Sequence, residues 1–319
     1  MYVHFDFSHS PDTRSYLRMA AGQFDSIRIT HRYRVLVPAA AAALAAPIAQ
    51  VYGRVWPQRP AGQWPLRFAF YLVNCLLLAT AATCWFNAAR LTGASAGAAA
   101  LAMLALLTSR WAQYAAGLSL TDSLYLLVFG LGYYAIRRGP AGKWALILTL
   151  LIGPLAKESF LFLLPWLLWF GRPTLPWFKQ LLALTGGLAA LLIVHQYVDN
   201  RIGAPATQSV SNALAHFHNL AYSLQRAASP KGIGELLSIF GLFTLIIPFA
   251  FWLDRSRNTH RTPPFHASLG WTEISLVAIV AIHMVLSGDL GRMGYLASPA
   301  FCSTLALAFT HYRRLLRLG

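Results

Sequence analysis

The sequence predicts an all-α, polytopic membrane protein, a bundle of about nine transmembrane helices, and three observations carry that expectation. Of 319 residues, 57% are hydrophobic and only 11% charged, with a mean hydropathy of +0.51. Soluble domains carry about 25% charged residues, so the composition excludes a soluble core of this length. Residues 68–89, 91–109, 236–253 and 293–310 contain no Asp, Glu, Lys or Arg. Each run approaches the ~20 residues with which a helix crosses ~30 Å of hydrocarbon. The runs are continuous rather than alternating. Lipid offers the backbone no partners, so the segments must satisfy themselves as helices, not barrel strands.

In chain order, residues 1–65 read as a first loop with amphipathic and interfacial helices. Its start, 1–34, is polar and aromatic. The stretch 35–51 is Ala-rich, 17 residues long and contains Pro38 and Pro47, which suits an interfacial or re-entrant helix better than a span. Spans are expected at roughly 66–89, 94–110, 119–136, 144–156, 159–171, 180–198, 235–253, 270–287 and 293–311. The longest later loop is 199–234, which precedes the final membrane block within 235–319. No internal repeat or low-complexity linker divides the chain, so 1–319 reads as one integral domain.

The net charge of +16 does not indicate nucleic acid, because the basic residues are scattered through short loops rather than gathered in a stripe. Arg137, Arg138 and Lys143; Arg172 and Lys179; Arg255, Arg257 and Arg261; and Arg313, Arg314 and Arg317 fall on one face if the spans alternate. Positive charge marks that face as cytoplasmic. Asp122, Glu158, Asp199, Glu235 and Asp289 fall toward the other face, with only Asp254 and Glu273 on the basic side. Asp6, Asp12 and Asp25 join the outer group if 35–51 does not cross. If it does cross, Arg28, Arg32 and Arg34 fit a cytoplasmic loop equally well, so charge counting leaves both arrangements open. Cys75, Cys84 and Cys302 lie in apolar runs, which argues against a disulfide framework or a cysteine metal site. His195, His216, His218 and His283 lack a ligand spacing on one helix, and no metal site is expected from them. Gly130, Gly132, Gly186 and Gly187 read as helix-packing positions.

Ionisable residues at membrane depth are costly and mark function. Four places qualify. In Ser10-Pro11-Asp12-Thr13-Arg14-Ser15-Tyr16-Leu17 the residues alone favour a helix N-terminus, and the functional alternative makes Asp12 a general base at the membrane surface. Thr121-Asp122 opens a span, where either residue suits an N-cap. Gly153-Pro154-Leu155-Ala156-Lys157-Glu158 joins two short spans; the first, 144–156, is about 20 Å long at 1.5 Å per residue. Lys157 and Glu158 are therefore expected inside a cavity. Adjacent residues on a helix do not face each other, so Lys157 suits an anionic ligand such as a phosphate. Last, Asp289 and Arg292 stand three residues apart beside Gly288 and Gly291, as a local pair or as an anion clamp at the bundle mouth.

These places, in this order, resemble the GT-C superfamily of integral-membrane glycosyltransferases, which includes protein O-mannosyltransferases and aminoarabinose transferases of lipid A. Asp12 followed by Tyr16 and Ala20 resembles the acidic start of the first outer loop. His31-Arg32-Tyr33-Arg34-Val35-Leu36-Val37-Pro38 resembles its basic-aromatic stretch and Pro-containing helix, which implies that 35–51 lies along the membrane. Leu120-Thr121-Asp122-Ser123-Leu124, Lys157, and the pair Asp289 and Arg292 match the later positions. The resemblance implies transfer of a sugar from a polyprenyl-phosphate donor to a glycan, lipid or protein acceptor, at the periplasmic face of a bacterial inner membrane. Superfamily members begin with a span before the first loop. This sequence shows none, which is expected of a start codon assigned too late or of a fragment.

On that basis Asp12 is expected to accept the acceptor's proton, and the sugar to be displaced with inversion. Lys157, Arg292 and Arg34 are expected to stabilise the leaving phosphate. Tyr16, Asp122, Glu158 and Asp289 complete the expected site; Asp122 would orient the acceptor or hold a divalent cation. The rivals are a transporter or flippase binding an anionic headgroup without chemistry, and a non-catalytic scaffold for envelope polysaccharide assembly.

Overall fold

The computed structural model describes residues 11–25, 27–58, 62–203, 220–257 and 270–317. Among these residues there are helices and no strands. Asp6, Arg261, His216 and His218 lie outside the described residues, as do the side chains of Asp254, Arg255, Arg257, Arg313, Arg314 and Arg317.

The first loop folds into α1 (Pro11–Ala20), α2 (Ile29–Arg32) and α3 (Leu36–Val55). Then come α4 (Trp64–Leu91), α5 (Ala96–Leu107), α6 (Arg110–Gly117), α7 (Asp122–Arg138) and α8 (Lys143–Ala156). A 3-10 turn, Glu158–Leu163, leads into α9 (Leu164–Phe170), followed by α10 (Trp177–Ile202). The chain ends with α11 (Pro230–Leu237), α12 (Phe243–Arg257), α13 (Trp271–Ser287), α14 (Leu290–Gly294) and α15 (Ser298–Arg317).

Every expected span contains helix, but several are shorter than the apolar run that announced them. Five stretches are long and apolar enough to cross a membrane: Leu36–Val55, Trp64–Leu91, Asp122–Ala156, Trp177–Ile202 and Leu290–His311. The others are cut by local chemistry. Ser109 takes extended backbone, ends the 94–110 run and caps α6 by accepting from the Trp111 N–H. Gly241, at φ 57°, separates α11 from α12 within 235–253. Asp122–Ala156 is a hairpin rather than one rod. Gly139, at φ 62°, ends α7, and across the turn Gly132 faces Thr149 so closely that a Cβ would meet its methyl at 3.3 Å.

Packing follows the small residues. A Cβ on Gly187 of α10 would come within 2.5 Å of the Leu150 carbonyl, so α8 and α10 touch backbone to backbone. Gly130 gives similar room to Trp85 and Ala81 of α4. The outward surface is apolar, with Leu76, Leu101, Leu182, Leu192, Ile193 and Trp252 exposed, as a lipid-facing surface requires. Cys75, Cys84 and Cys302 are free thiols.

The bundle has two poles. At one, Asn74 of α4 donates to the carbonyls of Leu118 and Leu120, immediately before α7 begins. At the other, Arg137 and Tyr133 from the end of α7 both donate to Glu273 at the start of α13. Ser95, after α4, meets Thr310 of α15. The helix α3 is a difference from the sequence expectation: it runs 20 residues through Pro47, not 17. Arg34, just before it, reaches Glu158 at the Asn74 pole. The eight residues between Val55 and Trp64 span at most about 30 Å, whereas the 28 residues of α4 extend about 42 Å. The C-terminus of α3 is thereby tethered toward the start of α4, and α3 is itself long and apolar enough to cross a membrane.

Candidate functional site

Five stretches of chain bring charge to the Asn74 pole. Helix α1 delivers Asp12 in its first turn. The turn after α2 delivers Arg34, the break after Pro154 delivers Lys157 and Glu158, and Gly288 in left-handed backbone, at φ 76°, swings Asp289 and Arg292 inward. Asp122 is the first residue of α7, where an anionic side chain favours the helix dipole.

Arg292 is the hub. Its Nη1 lies 3.1 Å from Asp12 Oδ2 and 3.6 Å from Asp122 Oδ2, and its Nε lies 2.9 Å from Asp289 Oδ2. Asp122 also faces Lys157, whose Nζ is 3.7 Å from Oδ1 and 5.5 Å over the Tyr125 ring. Both residues are buried, at 9% and 8% exposure. Arg34 makes a forked contact with Glu158 Oε2, at 3.2 and 2.8 Å, and donates to the Tyr16 hydroxyl at 3.1 Å. The Thr121 hydroxyl closes the circuit by donating to Tyr16. Four carboxylates, Asp12, Asp122, Glu158 and Asp289, thus face three cations, Arg34, Lys157 and Arg292.

All eight residues expected from the sequence lie in this cluster. The local alternatives resolve individually. Lys157 and Glu158 do not pair with each other; each takes a partner from another element. Thr121 occupies the N-cap position without a side-chain cap bond, so Asp122 is not a capping residue. Asp289 does both things: it accepts from the Arg292 N–H as the cap of α14 and pairs with the guanidinium.

His31, Trp111, Tyr114, Thr121 and Tyr125 belong to the site although no motif announced them as ligands. His31 Nε2 faces Asp12 Oδ1 at 3.6 Å, and its ring leans on Tyr16. Burial, with the Arg34 charge added, pushes its pKa from 6.5 down to about 4 against the pull of Asp12 and Glu158, so the imidazole is neutral near pH 7. Burial also raises the Tyr16 hydroxyl, with the Arg34 charge opposing. Tyr114 is raised by burial as well; Arg292 lowers it while Asp122, Asp289 and Asp12 add to the rise.

Beside the hub lies a cleft of ≈ 280 Å³, open solvent included, bounded by Trp111, Tyr114, Asp122, Arg292, Met293 and Tyr295. Its lining combines aromatic rings with the charges of Asp122 and Arg292. Among the described residues no group of three or more His, Cys, Asp or Glu side chains is arranged to hold a metal ion. Asp12, Asp122 and Asp289 converge on the Arg292 guanidinium.

A second polar cluster lies apart from the hub. Tyr33 stacks on His195 at 3.4 Å between ring centroids and donates to Asp199 at 2.8 Å, tying the first loop to α10. His195 is therefore a packing residue. No known protein family, curated protein or solved structure matches this chain.

Proposed function

We propose that the chain is a membrane glycosyltransferase that moves a sugar from a polyprenyl-phosphate donor to an acceptor hydroxyl, with Asp12 as base. One observation carries the proposal: Arg292 is shared between Asp12 and Asp122 while Lys157 approaches Asp122 from the other side. A carboxylate base and two cations thereby meet around Asp122 at the end of an apolar bundle, and Asp122 and Arg292 line the cleft. Charge-stabilising groups fixed in a poorly hydrated site act strongly because they need no reorganisation.

In the proposed reaction the acceptor O–H proton passes to Asp12 and the freed oxygen bonds to the anomeric carbon. The bond from that carbon to the phosphate oxygen breaks, and its electron pair leaves with the polyprenyl phosphate. Asp12 Oδ2 is held by Arg292, so Oδ1, on the His31 side, is the atom that takes the proton. Asp12 needs correct position more than high basicity, since the acceptor hydroxyl acidifies only as its bond forms. The leaving phosphate is held near the interface by its lipid tail, and Arg292, Lys157 and Arg34 lie where cations at membrane depth would meet it. In this reading α3 is an interfacial helix of the first loop, and the site faces the non-cytoplasmic side of a bacterial inner membrane.

The test is Asp12→Asn in the full chain, reconstituted with membranes that supply acceptors. Release of polyprenyl phosphate from a labelled polyprenyl-phosphoryl sugar is measured beside donor binding. Loss of a positioned base costs about 10²–10⁴ in rate, with donor binding retained. Unchanged release rules Asp12 out as the base.

A further inference from the structure

Charge at the Glu273 pole is not balanced as it is around Arg292. Two turns adjoin there, residues 139–142 between α7 and α8 and residues 171–176 between α9 and α10. Thr174 of the second turn donates to the carbonyl of Ala135 in α7 at 3.3 Å. A Cβ on Gly171 would lie 3.0 Å from the Leu146 side chain of α8, so the two turns pack side by side. Arg137 pairs with Glu273. Arg138, Lys143, Arg172 and Lys179 stand exposed in or beside the same turns, and none of the four forms an ion pair with a described carboxylate. Three of them rest on aromatic rings instead. Arg172 Cζ lies 4.4 Å over Trp169, Arg138 Cζ 5.6 Å over Tyr134, and Lys143 Nζ 5.7 Å over Trp144. A ring face attracts a cation without neutralising it.

We infer that this pole binds the headgroup of an anionic phospholipid, with Arg138, Lys143, Arg172 and Lys179 meeting the phosphate and Trp144 and Trp169 the glycerol region beneath it. The inference is independent of the transfer reaction proposed above. Trp144 and Trp169 are exposed, and exposed Trp in a membrane protein sits where hydrocarbon gives way to water. The cations stacked on these rings are thereby fixed at the depth of the headgroup phosphates. A guanidinium stacked by one face keeps its edge N–H donors for an anion. Cations without carboxylate partners favour a headgroup of net negative charge, whereas a zwitterionic headgroup brings an ammonium that they repel. The neighbouring apolar surface favours a lipid over a free phosphate or an acidic peptide. Trp177 and Phe178 open α10, and Leu181 and Leu182 continue its exposed flank, which gives acyl chains a surface to lie on.

The experiment uses the full chain in neutral detergent and follows a fluorescent phosphatidylglycerol by anisotropy. Phosphatidylglycerol, phosphatidylcholine, glycerol 1-phosphate and an octaglutamate peptide are the competitors. Phosphatidylglycerol displaces the probe at least about tenfold better than the other three, and binding weakens as salt rises. A cation near the surface is worth about fivefold in affinity, so Lys143→Gln with Arg172→Gln weakens the probe about 25-fold. Arg172→Lys keeps the charge and most of the affinity. Trp169→Leu removes the ring that positions Arg172 and weakens the probe about two- to fivefold. Arg14, an exposed cation of α1 at the Asn74 pole, is the control, and Arg14→Gln leaves binding unchanged. Thermal melts accompany each variant; if the Gln pair melts early, Arg172→Gln alone carries the test, at about fivefold. Equal displacement by phosphatidylglycerol and phosphatidylcholine, or a loss in the Gln variants no larger than in Arg14→Gln, overturns the site. Glycerol 1-phosphate competing as well as the lipid makes it a free-phosphate site, and octaglutamate competing better makes it a protein-docking patch; either result also overturns the proposal.

Discussion

Replacing Arg292 by Met tests whether the hub holds the pole together. The substitution keeps a side chain of similar reach and removes the charge. It leaves Asp12, Asp122, Glu158 and Asp289 facing only Arg34 and Lys157. Breaking a buried pair by deleting one partner costs about 3–5 kcal/mol, because the other charge stays buried and unpaired. The Arg292 side chain is 21% exposed, so water screens part of this and the lower end, about 3 kcal/mol, applies. Thermal unfolding in detergent at one fixed scan rate reads the loss, since such transitions depend on rate. A drop of about 4–5 °C is expected for a chain of 319 residues.

Two double variants assign the loss to its cause. Asp122 is buried and shared between Arg292 and Lys157, so Asp122→Asn removes the orphaned charge and restores about 1–2 kcal/mol to the Arg292→Met chain. Asp289 has a side chain 33% exposed and sits three residues from Arg292; such a local, solvated pair is worth little, and Asp289→Asn restores almost nothing. Equal rescue by both would refute the hub, and so would strictly additive losses for Arg292→Met with Asp122→Asn.

Three further outcomes are expected. Because burial and Arg34 hold His31 at about 4, the folded chain binds fewer protons there than the unfolded chain between about pH 6.5 and pH 4. Stability therefore falls as pH falls through that window, and His31→Gln flattens the decline; parallel pH profiles for the two chains would exclude His31. Gly187→Ala inserts a methyl 2.5 Å from the Leu150 carbonyl and should lower stability by about 1–3 kcal/mol in the same melt. Gly53→Ala, with nothing within 4 Å of the added methyl, is neutral or slightly stabilising, as expected for a helix interior; equal effects at the two glycines would discount the α8–α10 contact.

The helices were legible because charge-free runs in a membrane chain have few alternatives. Their breaks were less so. Ser109 and Gly241 interrupt apolar runs without changing their hydropathy, and only backbone geometry exposes them. Asp12, Asp122, Lys157, Glu158, Asp289 and Arg292 stood out for the same reason as the helices: a charged residue is rare in this chain and expensive at depth. Their partners were not legible. Spacing finds Asp289 for Arg292 at three residues, but nothing in it joins Arg292 to Asp12 across the whole chain, or Lys157 to Asp122. Trp111 and Tyr114 were invisible for a different reason. The chain has 10 Trp and 13 Tyr, and interfacial belts account for such residues without a ligand.

Each of the three cluster cations is paired with a carboxylate, which alone does not suit the binding of a phosphate. The proposed reaction gives that arrangement a use. Before transfer the donor phosphodiester carries one negative charge and Asp12 another. After transfer the phosphate monoester gains a charge as Asp12 loses its own by protonation, so the total charge of the site is unchanged. No net charge is created in a medium where creating it is costly. Arg292 lies between Asp12 and Asp122, at 3.1 and 3.6 Å from one nitrogen. Protonation of Asp12 weakens the shorter contact at the moment the leaving phosphate needs the guanidinium. In Asp12→Asn the carboxylate is neutral from the start, so Arg292 is released early. The variant is therefore expected to bind free farnesyl phosphate more tightly than the unsubstituted chain does, even as it loses transfer. Weaker binding of that product by the variant would mean that Arg292 is not handed from Asp12 to the phosphate.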